Sequence, residues 1–303
     1  MKYWLTAQNK MSSLKSTAAE QKVALLQVHM GVLLLGGTAL FSKIVPLSGS
    51  AISLARAAIA ALFLAMIVKA TEGRLSLNSF RDYRNGVILG VFMAIHWVTY
   101  FYAMQLSSVA TGMIALYTYP VMIVLIEPLL HKQLPKLMDV VMAMFVLAGV
   151  ALMVPNLSLE SDYTLGILLG VLSAVFFAAR NIMNHKVFAH YSGTKNMMFQ
   201  SFVIALVLMP FEITSFSEIK DSTIAWLLLL GVVFTALPHS LIVNGLRSIR
   251  AKTMSLVSCL SPCYGTAFAA IFLTEYPSWQ TLLGGAMVVS AAVFETWSVN
   301  RQK

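Results

Sequence analysis

The chain has 303 residues, a formal net charge of +9 at pH 7, and a composition that is 58% hydrophobic and only 11% charged. Soluble domains contain roughly 25% charged residues, so this chain has too little polar surface to cover a water-facing globule. Its apolar runs are about 18 to 24 residues long, which is enough to cross roughly 30 Å of hydrocarbon. The composition therefore excludes a soluble protein and predicts an all-α membrane protein.

Taken in chain order, the apolar runs predict ten transmembrane helices, at residues 24–45, 50–69, 86–105, 109–131, 137–155, 164–187, 195–214, 223–246, 253–274 and 279–298. The polar stretch 156–163 separates the fifth run from the sixth and is the predicted linker between two halves, residues 24–155 and 164–298. Residues 1–23 and 299–303 are predicted to be tails outside the bilayer.

The basic residues are distributed unevenly between the gaps. Lysine and arginine concentrate in both tails and in the even-numbered gaps, whereas the odd-numbered gaps contain only Lys220. Basic residues in short gaps anchor topology against anionic lipid, so the positive charge does not predict a nucleic-acid partner. The positive-inside rule instead puts both termini in the cytoplasm and favours an even number of spans.

The two halves repeat each other. Lys43 and His96 recur as Lys186 and His239 about 143 positions later, and Gln133-Leu-Pro recurs as Glu275-Tyr-Pro at a shift of about 142. Each unit holds five spans, an odd number, so the second unit must enter the membrane from the opposite side. The sequence therefore predicts two inverted five-helix repeats around a central cavity, an architecture typical of secondary transporters.

Several motifs in the second half resemble a known family. They are the segment 251–262, which ends at Pro262 near the centre of the ninth span, the sequence Phe272-Leu-Thr-Glu-Tyr-Pro277, and Gly284-Gly285 in the last span. Together with Gly36-Gly37 and Lys43 in the first span, they resemble the EamA-type transporters of the drug/metabolite transporter superfamily. The first half departs from the family pattern, because Gln133 stands where the second half has Glu275.

The resemblance implies an architecture and a function. Spans one to four and six to nine would surround the cavity, and spans five and ten would lie outside it. Family members export amino acids, drugs or related metabolites, and some import metabolites. The resemblance also implies a multi-pass protein of the cell inner membrane.

Ionisable residues inside the predicted spans are the first candidates for the site. A charge at mid-membrane costs several kcal/mol unless it faces water or a partner, so such residues are functional candidates by default. They are Arg56, His96, Glu127, Arg180 and His239. Histidine titrates near pH 6.5, which suits a proton-coupling site. The alternatives are a neutral histidine bonded to a neighbouring helix, a structural ion pair for Arg56, and an interfacial carboxylate for Glu127.

Aromatic and hydroxyl side chains near the membrane centre are the second set of candidates. Trp97, Tyr100 and Tyr117 are predicted at a depth where interfacial aromatic belts do not occur, and Ser261 could face them from span nine. Aromatic walls with a few polar groups suit an amphipathic or cationic small molecule. Simple helix packing is the alternative.

Two prolines occupy equivalent positions in the repeats. Pro120 in span four and Pro262 in span nine each remove a backbone donor, free a carbonyl one turn earlier and can bend the helix. They are candidate hinges of a gate, and a fixed kink is the alternative.

These observations predict a secondary transporter that exports small organic metabolites by alternating access, by uniport or with proton coupling. Its partners would be the substrate and the lipid bilayer. The sequence lacks a phosphate-binding loop, a dinucleotide fingerprint and a clustered metal-ligand motif, so we expect no cofactor, no metal and no enzymatic activity. The alternatives are metabolite uptake or exchange and, from other classes, a lipid flippase or an intramembrane enzyme using His96 and His239.

Overall fold

The structure is a computed structural model that describes residues 18–130, 132–154, 160–217, 219–245, 248–249 and 251–298. These residues form helices joined by short turns, and no strand occurs among them. The α-helices are α1 (Ala18–Thr38), α2 (Phe41–Ile44), α3 (Gly49–Glu72), α4 (Phe80–Leu106), α5 (Val109–Leu116), α6 (Tyr119–Leu130), α7 (Leu137–Leu152), α8 (Asp162–Val187), α9 (Gly193–Glu212), α10 (Asp221–Gly231), α11 (Leu237–Gly245), α12 (Ala251–Ser258), α13 (Ser261–Phe272) and α14 (Trp279–Ser298).

Seven helical stretches are long and apolar enough to cross a membrane. They coincide with the predicted spans one to four and six to eight, which confirms a multi-pass helical membrane protein. The fifth and tenth predicted spans are shorter apolar helices, Leu137–Leu152 and Trp279–Phe294. The ninth is divided into α12 and α13. The count of ten spans therefore stays a prediction.

Serine residues begin three of the spanning segments. The hydroxyl groups of Ser48, Ser79 and Ser108 each accept a hydrogen bond from a backbone N–H in the first turn of the helix that follows, at 3.1, 3.2 and 3.0 Å. Such caps satisfy donors that a helix start leaves unpaired, and each contributes about 1 kcal/mol. At the other end of α3, Gly73 adopts φ 72, the left-handed conformation that glycine tolerates without strain.

The helices at the two repeat-related prolines are interrupted. The span formed by α5 and α6 breaks between Leu116 and Tyr119, and Pro120 lies in the first turn after the break. The span formed by α12 and α13 breaks between Ser258 and Ser261, with Pro262 at the equivalent place. Proline lacks the N–H that would continue the ladder, so a break at these positions is the expected local result.

A third interruption has no counterpart in the other repeat. α10 and α11 are joined by one π-helical turn, Val232–Ala236, which lies directly before Pro238. π turns of this kind commonly mark functional positions within helices. This interruption was not predicted from the sequence.

The two repeats pack against each other helix by helix. α4 packs most extensively on α8, α3 on α9 and α1 on α11, and α5 also contacts α13. These pairs are the ones expected if the first span is equivalent to the sixth and the third to the eighth. The eight spans that these helices belong to form the centre of the molecule.

α7 and α14 form a separate pair at the periphery. Gly149 and Gly284 bring the two backbones together, since a Cβ atom added to Gly149 would lie 3.0 Å from the carbonyl oxygen of Gly284. Small residues at such crossings are typical of membrane helix packing. An apolar cluster that includes Val146, Val150 and Val288 fills the contact.

Candidate functional site

A cavity of about 480 Å³ lies at the centre of the molecule. Its lining residues come from spans one to four and from spans six to nine, and none comes from α7 or α14. The volume lies within the range of small-molecule sites, roughly 300 to 1,000 Å³. A cavity lined by predicted spans one to four and six to nine, with α7 and α14 outside it, is the arrangement that the family resemblance implied.

The structure brings eight of the nine predicted substrate-binding or coupling residues to this cavity: Arg56, His96, Trp97, Tyr100, Tyr117, Arg180, His239 and Ser261. The ninth, Glu127, lies on α6, but its side chain falls outside the described residues. Pro120 and Pro262 each neighbour a lining residue, Tyr119 and Ser261 respectively.

Arg56 is a buried cation without a polar partner. It is 3% exposed, and within the described part of the chain it makes neither a hydrogen bond nor an ion pair. Its Cζ atom lies 3.8 Å from the centroid of the Trp97 ring and 5.3 Å from that of Phe101. A desolvated cation–π contact contributes about 2 kcal/mol, which offsets only part of the cost of burying the charge.

Arg180 is half-buried among neutral amides instead. Its Nε donates to Gln200 Oε1 at 2.8 Å, and its Nη1 donates to Asn181 Oδ1 at 3.0 Å. The Gln200 side chain donates onward to Asn196, and Asn196 Nδ2 donates to Asn184 Oδ1 at 2.6 Å. The network ties α8 to α9 and fixes the guanidinium, but amide dipoles do not cancel its charge.

His96 is fixed by a hydrogen bond whose direction can be assigned. The Ser173 hydroxyl donates its hydrogen to the His96 carbonyl oxygen at 3.0 Å, so it must accept the 2.7 Å bond from His96 Nδ1. The proton of a neutral imidazole therefore lies on Nδ1, and Nε2 is the nitrogen available to the cavity. The ring stacks on Phe177 at 4.6 Å.

His239 also faces the cavity but makes no hydrogen bond to a residue that the structure describes. Both histidines lie close enough to Arg56 and Arg180 to interact with them electrostatically. The symmetric pair predicted from the repeat is therefore unequal, because only His96 has its ring orientation fixed by a neighbour.

Two hydroxyl groups bond carbonyls that prolines leave free. Pro262 lacks the donor that would reach the Ser258 carbonyl one turn earlier, and Tyr117 Oη donates to that oxygen at 2.8 Å. Pro238 frees the Phe234 carbonyl in the same way, and Thr38 Oγ1 donates to it at 2.8 Å. Each bond joins a helix of the first repeat to the helix break of the second.

At one end of the cavity, beyond the lining residue Thr38, aromatic and polar side chains pack together. Phe41 packs against Phe234 at 5.0 Å and Trp226 at 6.2 Å. Nearby, the Glu212 carboxylate accepts hydrogen bonds from three hydroxyl groups, including Ser50 Oγ at 2.5 Å, and it connects the end of α9 to the start of α3.

At the opposite end, the cavity extends to Gly193, the first residue of α9. Here Lys195 Nζ lies 3.6 Å from Glu72 Oε2 and donates to the Arg74 carbonyl at 2.8 Å. Tyr191 Oη donates to Asp82 Oδ2 at 2.9 Å. Burial raises the pKa of the Tyr191 phenol, which keeps it a donor. These contacts connect the α3–α4 turn to the α8–α9 turn.

The retained family glutamate does not line the cavity. Glu275 Oε1 accepts a 2.9 Å hydrogen bond from the backbone N–H of Val109, the first residue of α5. It therefore caps a helix of the other repeat, whereas Gln133, its counterpart, is exposed. The contact gives Glu275 a structural role between the repeats.

Sequence reasoning missed part of the site. Asn196 and Gln200 of α9, Thr38 of α1 and Phe177 of α8 contribute to the cavity or to its polar network. The spacing of Asn196 and Gln200, four residues apart in an apolar helix, could have identified them, since this spacing aligns two side chains on one face. Thr38 and Phe177 carried no comparable signal.

The chain matches one protein-family model in both of its halves. A model described as the EamA-like transporter family matches it twice, over residues 22–154 and 164–296. The two matches divide the chain at the predicted linker and together cover nearly the whole of it.

Similar proteins include an uncharacterized transporter, YxxF, of Bacillus subtilis, which is 22% identical over 90% of this chain and 89% of its own length. The pseudopaline exporter CntI of Pseudomonas aeruginosa is 24% identical over 78% of this chain and 82% of its own. A crystal structure with 19% identity aligns over 92% of this chain and 98% of its own with a TM-score of 0.62, which shows a shared fold.

Proposed function

The chain belongs to the EamA-like transporter family, and from that premise we propose that it exports small organic metabolites by alternating access. Membership makes it a membrane transporter rather than an enzyme. The expected substrates are amino acids, related metabolites or drugs. Export is the direction named for the relative CntI.

The observation that carries the proposal is the central cavity. Both repeats contribute four spans to its lining, and this lining contains two arginines, two histidines and several aromatic side chains. Such a cavity between two repeats is the usual place for the substrate site of a secondary transporter. A flippase or an intramembrane enzyme has no comparable support from the site.

We further propose ten spans in two inverted repeats of an inner-membrane protein with both termini in the cytoplasm. The pairing of α4 with α8 and of α1 with α11 supports a two-fold axis between the repeats. With that orientation, the end sealed by Phe41 faces outward and the end near Gly193 faces inward. The structure would then represent an inward-facing state.

The breaks at Pro120 and Pro262 are the proposed hinges. Opening the outer end requires the helices around Phe41 and Phe234 to separate, while the inner end closes around the contact that Lys195 already makes with Glu72. The hydroxyl-to-carbonyl bonds of Tyr117 and Thr38 lie at the breaks, where they can reform without breaking a helical ladder. Small changes at the breaks would then rotate whole half-helices.

Flux into proteoliposomes tests the proposal. Purified protein should move at least one substrate from a panel of amino acids, nucleobases and cationic drugs, and cells expressing it should release that substrate faster than cells without it. Absence of flux for the whole panel under every applied gradient would contradict transport of these classes. Net uptake by cells would reverse the proposed direction.

Single cysteines test the topology. In a background without Cys259 and Cys263, a membrane-impermeant thiol reagent added outside the cell should label Ser161→Cys but not Ser79→Cys. Labelling of Ser79→Cys from outside would contradict cytoplasmic termini. Labelling of both positions from one side would contradict inversion of the repeats.

Proton coupling is proposed to use His96. Its Nε2 is available to the cavity, while Nδ1 is engaged by Ser173. A pH gradient should therefore stimulate flux in the wild type and in His239→Gln but not in His96→Gln. Flux that responds equally in all three proteins would exclude His96 as the coupling group.

A further inference from the structure

We propose that the transported substrate carries a carboxylate and that Arg56 is the residue that binds it. The inference rests on the proposed transport function and adds to it the chemical class of the substrate. It begins from the one guanidinium in the described part of the cavity that has no polar partner.

The first observation is the isolation of Arg56. Its Nε atom is buried, and no hydrogen-bond acceptor reaches it among the described residues. A donor left in this state is rare in folded proteins, because each buried polar group normally finds a partner. At a cavity wall, the missing acceptor is most simply supplied by the molecule that fills the cavity.

The second observation is the charge of the lining. Among the described residues that line the cavity there are two arginines and no aspartate, glutamate or lysine. Arg180 is bonded only to neutral amides, so its charge adds to that of Arg56. A cationic substrate would meet two uncompensated positive charges in a medium that screens them poorly. An anion would be attracted by both.

The third observation is the orientation of the guanidinium. Its Cζ lies 3.8 Å from the Trp97 centroid, so the ring occupies one face of the group. The hydrogen atoms of a guanidinium lie in its plane and match two carboxylate oxygens in a bidentate pair. Trp97 therefore holds the planar edge of Arg56 in place without using any of its donors.

The remaining lining argues for an organic anion rather than a small inorganic one. Tyr119 and Phe177 pack edge to face at 4.8 Å and form an apolar wall. The cavity of about 480 Å³ is far larger than a chloride or phosphate ion requires. An apolar or aromatic body attached to the carboxylate would fill it.

Matched ligand pairs test the inference in purified full-length protein. We would measure the thermal unfolding midpoint with 3-phenylpropionate, indole-3-acetate and nicotinate, each against its neutral amide, and with chloride and phosphate as inorganic anions. A ligand that binds only the folded protein raises the midpoint. Carboxylates should raise it in the wild type, and their amides should not.

Variants of Arg56 connect this response to the guanidinium. Arg56→Gln should weaken carboxylate binding about 10- to 100-fold, the range expected for losing hydrogen bonds to a charged group. Arg56→Lys keeps the charge but not the bidentate edge. Its affinity for carboxylates should lie between that of the wild type and that of Arg56→Gln. Lys186→Gln, which removes an exposed charge of the same sign, is the matched control and should bind like the wild type.

Several results would overturn the inference. They are an equal response to amides and carboxylates, a response only to chloride or phosphate, no response to any carboxylate, and undiminished carboxylate binding by Arg56→Gln. A carboxylate response that appears only in Glu127→Gln would show that the chain supplies its own anion. If flux is found but only for cations or neutral molecules, the carboxylate inference fails while the transport function stands. If no flux is found for any substrate, the proposed transport function is contradicted as well.

Discussion

Each repeat contributes one arginine to the cavity, and the two are held in different ways. Arg56 of the first repeat rests on the face of Trp97 and has no hydrogen bond in the described part of the chain. Arg180 of the second repeat is held by Gln200 and Asn181 through two hydrogen bonds. One guanidinium is positioned without its donors being used, and the other has its donors committed to protein groups.

This difference indicates that Arg56 binds a ligand and that Arg180 stabilises the fold. A guanidinium already bonded to amides gains little from a ligand, and removing it leaves buried acceptors without donors. A guanidinium supported only by a ring can give its full hydrogen-bonding edge to a ligand, and removing it leaves no protein group unpaired. The same substitution should therefore affect mainly the stability of the fold at Arg180 and mainly ligand binding at Arg56.

The largest predicted effect comes from replacing each arginine with methionine. Arg180→Met should lower the free energy of unfolding by about 2 to 3 kcal/mol, because Gln200 Oε1 and Asn181 Oδ1 lose their donor in a buried site. Arg56→Met should change it by no more than about 1 kcal/mol, since the lost cation–π contact is offset by removal of a buried charge. Denaturant unfolding of ligand-free protein in one detergent measures both.

The double variant Arg180→Met with Gln200→Leu is the control for that experiment. It removes both partners of the Arg180 Nε hydrogen bond and should recover part of the lost stability. Equal destabilisation by Arg56→Met and Arg180→Met would contradict the comparison, because it would give Arg56 a structural partner.

The next effect concerns the hydroxyl groups at the helix breaks. Tyr117→Phe leaves the Ser258 carbonyl without its donor, and we expect a loss of about 1 to 2 kcal/mol in the free energy of unfolding. Thr38→Val should cost a similar amount through the Phe234 carbonyl. The matched control is Tyr119→Phe, since its hydroxyl makes no hydrogen bond to a residue that the structure describes. A loss of equal size in the control would mean that ring packing, not the carbonyl, is what Tyr117 supplies.

Much of this arrangement could be predicted from the sequence because the membrane restricts the choices. Spans can be recognised from apolar length, and a charge inside one is expensive enough that Arg56 and Arg180 stand out without a structure. The repeat then brings residues far apart in the chain to one cavity. Pro120 and Pro262 also predicted the break between α5 and α6 and the break between α12 and α13, because proline lacks a backbone donor.

The sequence could not show which partner each group would find. Asn181 and Asn184 indicate a polar face beside Arg180, but nothing near Arg56 in the chain identifies Trp97 as the ring on which it rests. Glu275 is the family glutamate that only the second half retains, and the sequence does not show that it bonds the N–H of Val109 in the other repeat. Such contacts depend on packing between repeats, which one-dimensional spacing does not contain.

A smaller effect is expected at the ring beneath Arg56. Trp97→Leu removes the face on which the guanidinium rests and should weaken carboxylate binding about 5-fold, equivalent to about 1 kcal/mol of cation–π interaction. Trp97→Phe keeps a smaller ring and should show less than half of that loss in free energy. Isothermal titration with the carboxylate that binds most tightly measures both. Unchanged affinity in Trp97→Leu would mean that the ring does not position Arg56 for the ligand.

Lys195 extends the comparison to a cation that does have a carboxylate partner. It is 5% exposed, its Nζ lies 3.6 Å from Glu72 Oε2, and it also donates to the Arg74 carbonyl. The Glu72 side chain is 30% exposed, so water screens the pair and its contribution to stability should be below about 1 kcal/mol. Glu72→Gln should therefore lower the free energy of unfolding by less than any change at Arg180, and the loss should shrink further in high salt. A loss as large as that of Arg180→Met, or one that salt does not reduce, would contradict this prediction. It would mean that a direct charge partner of Lys195 contributes more to stability than the amide network of Arg180 does.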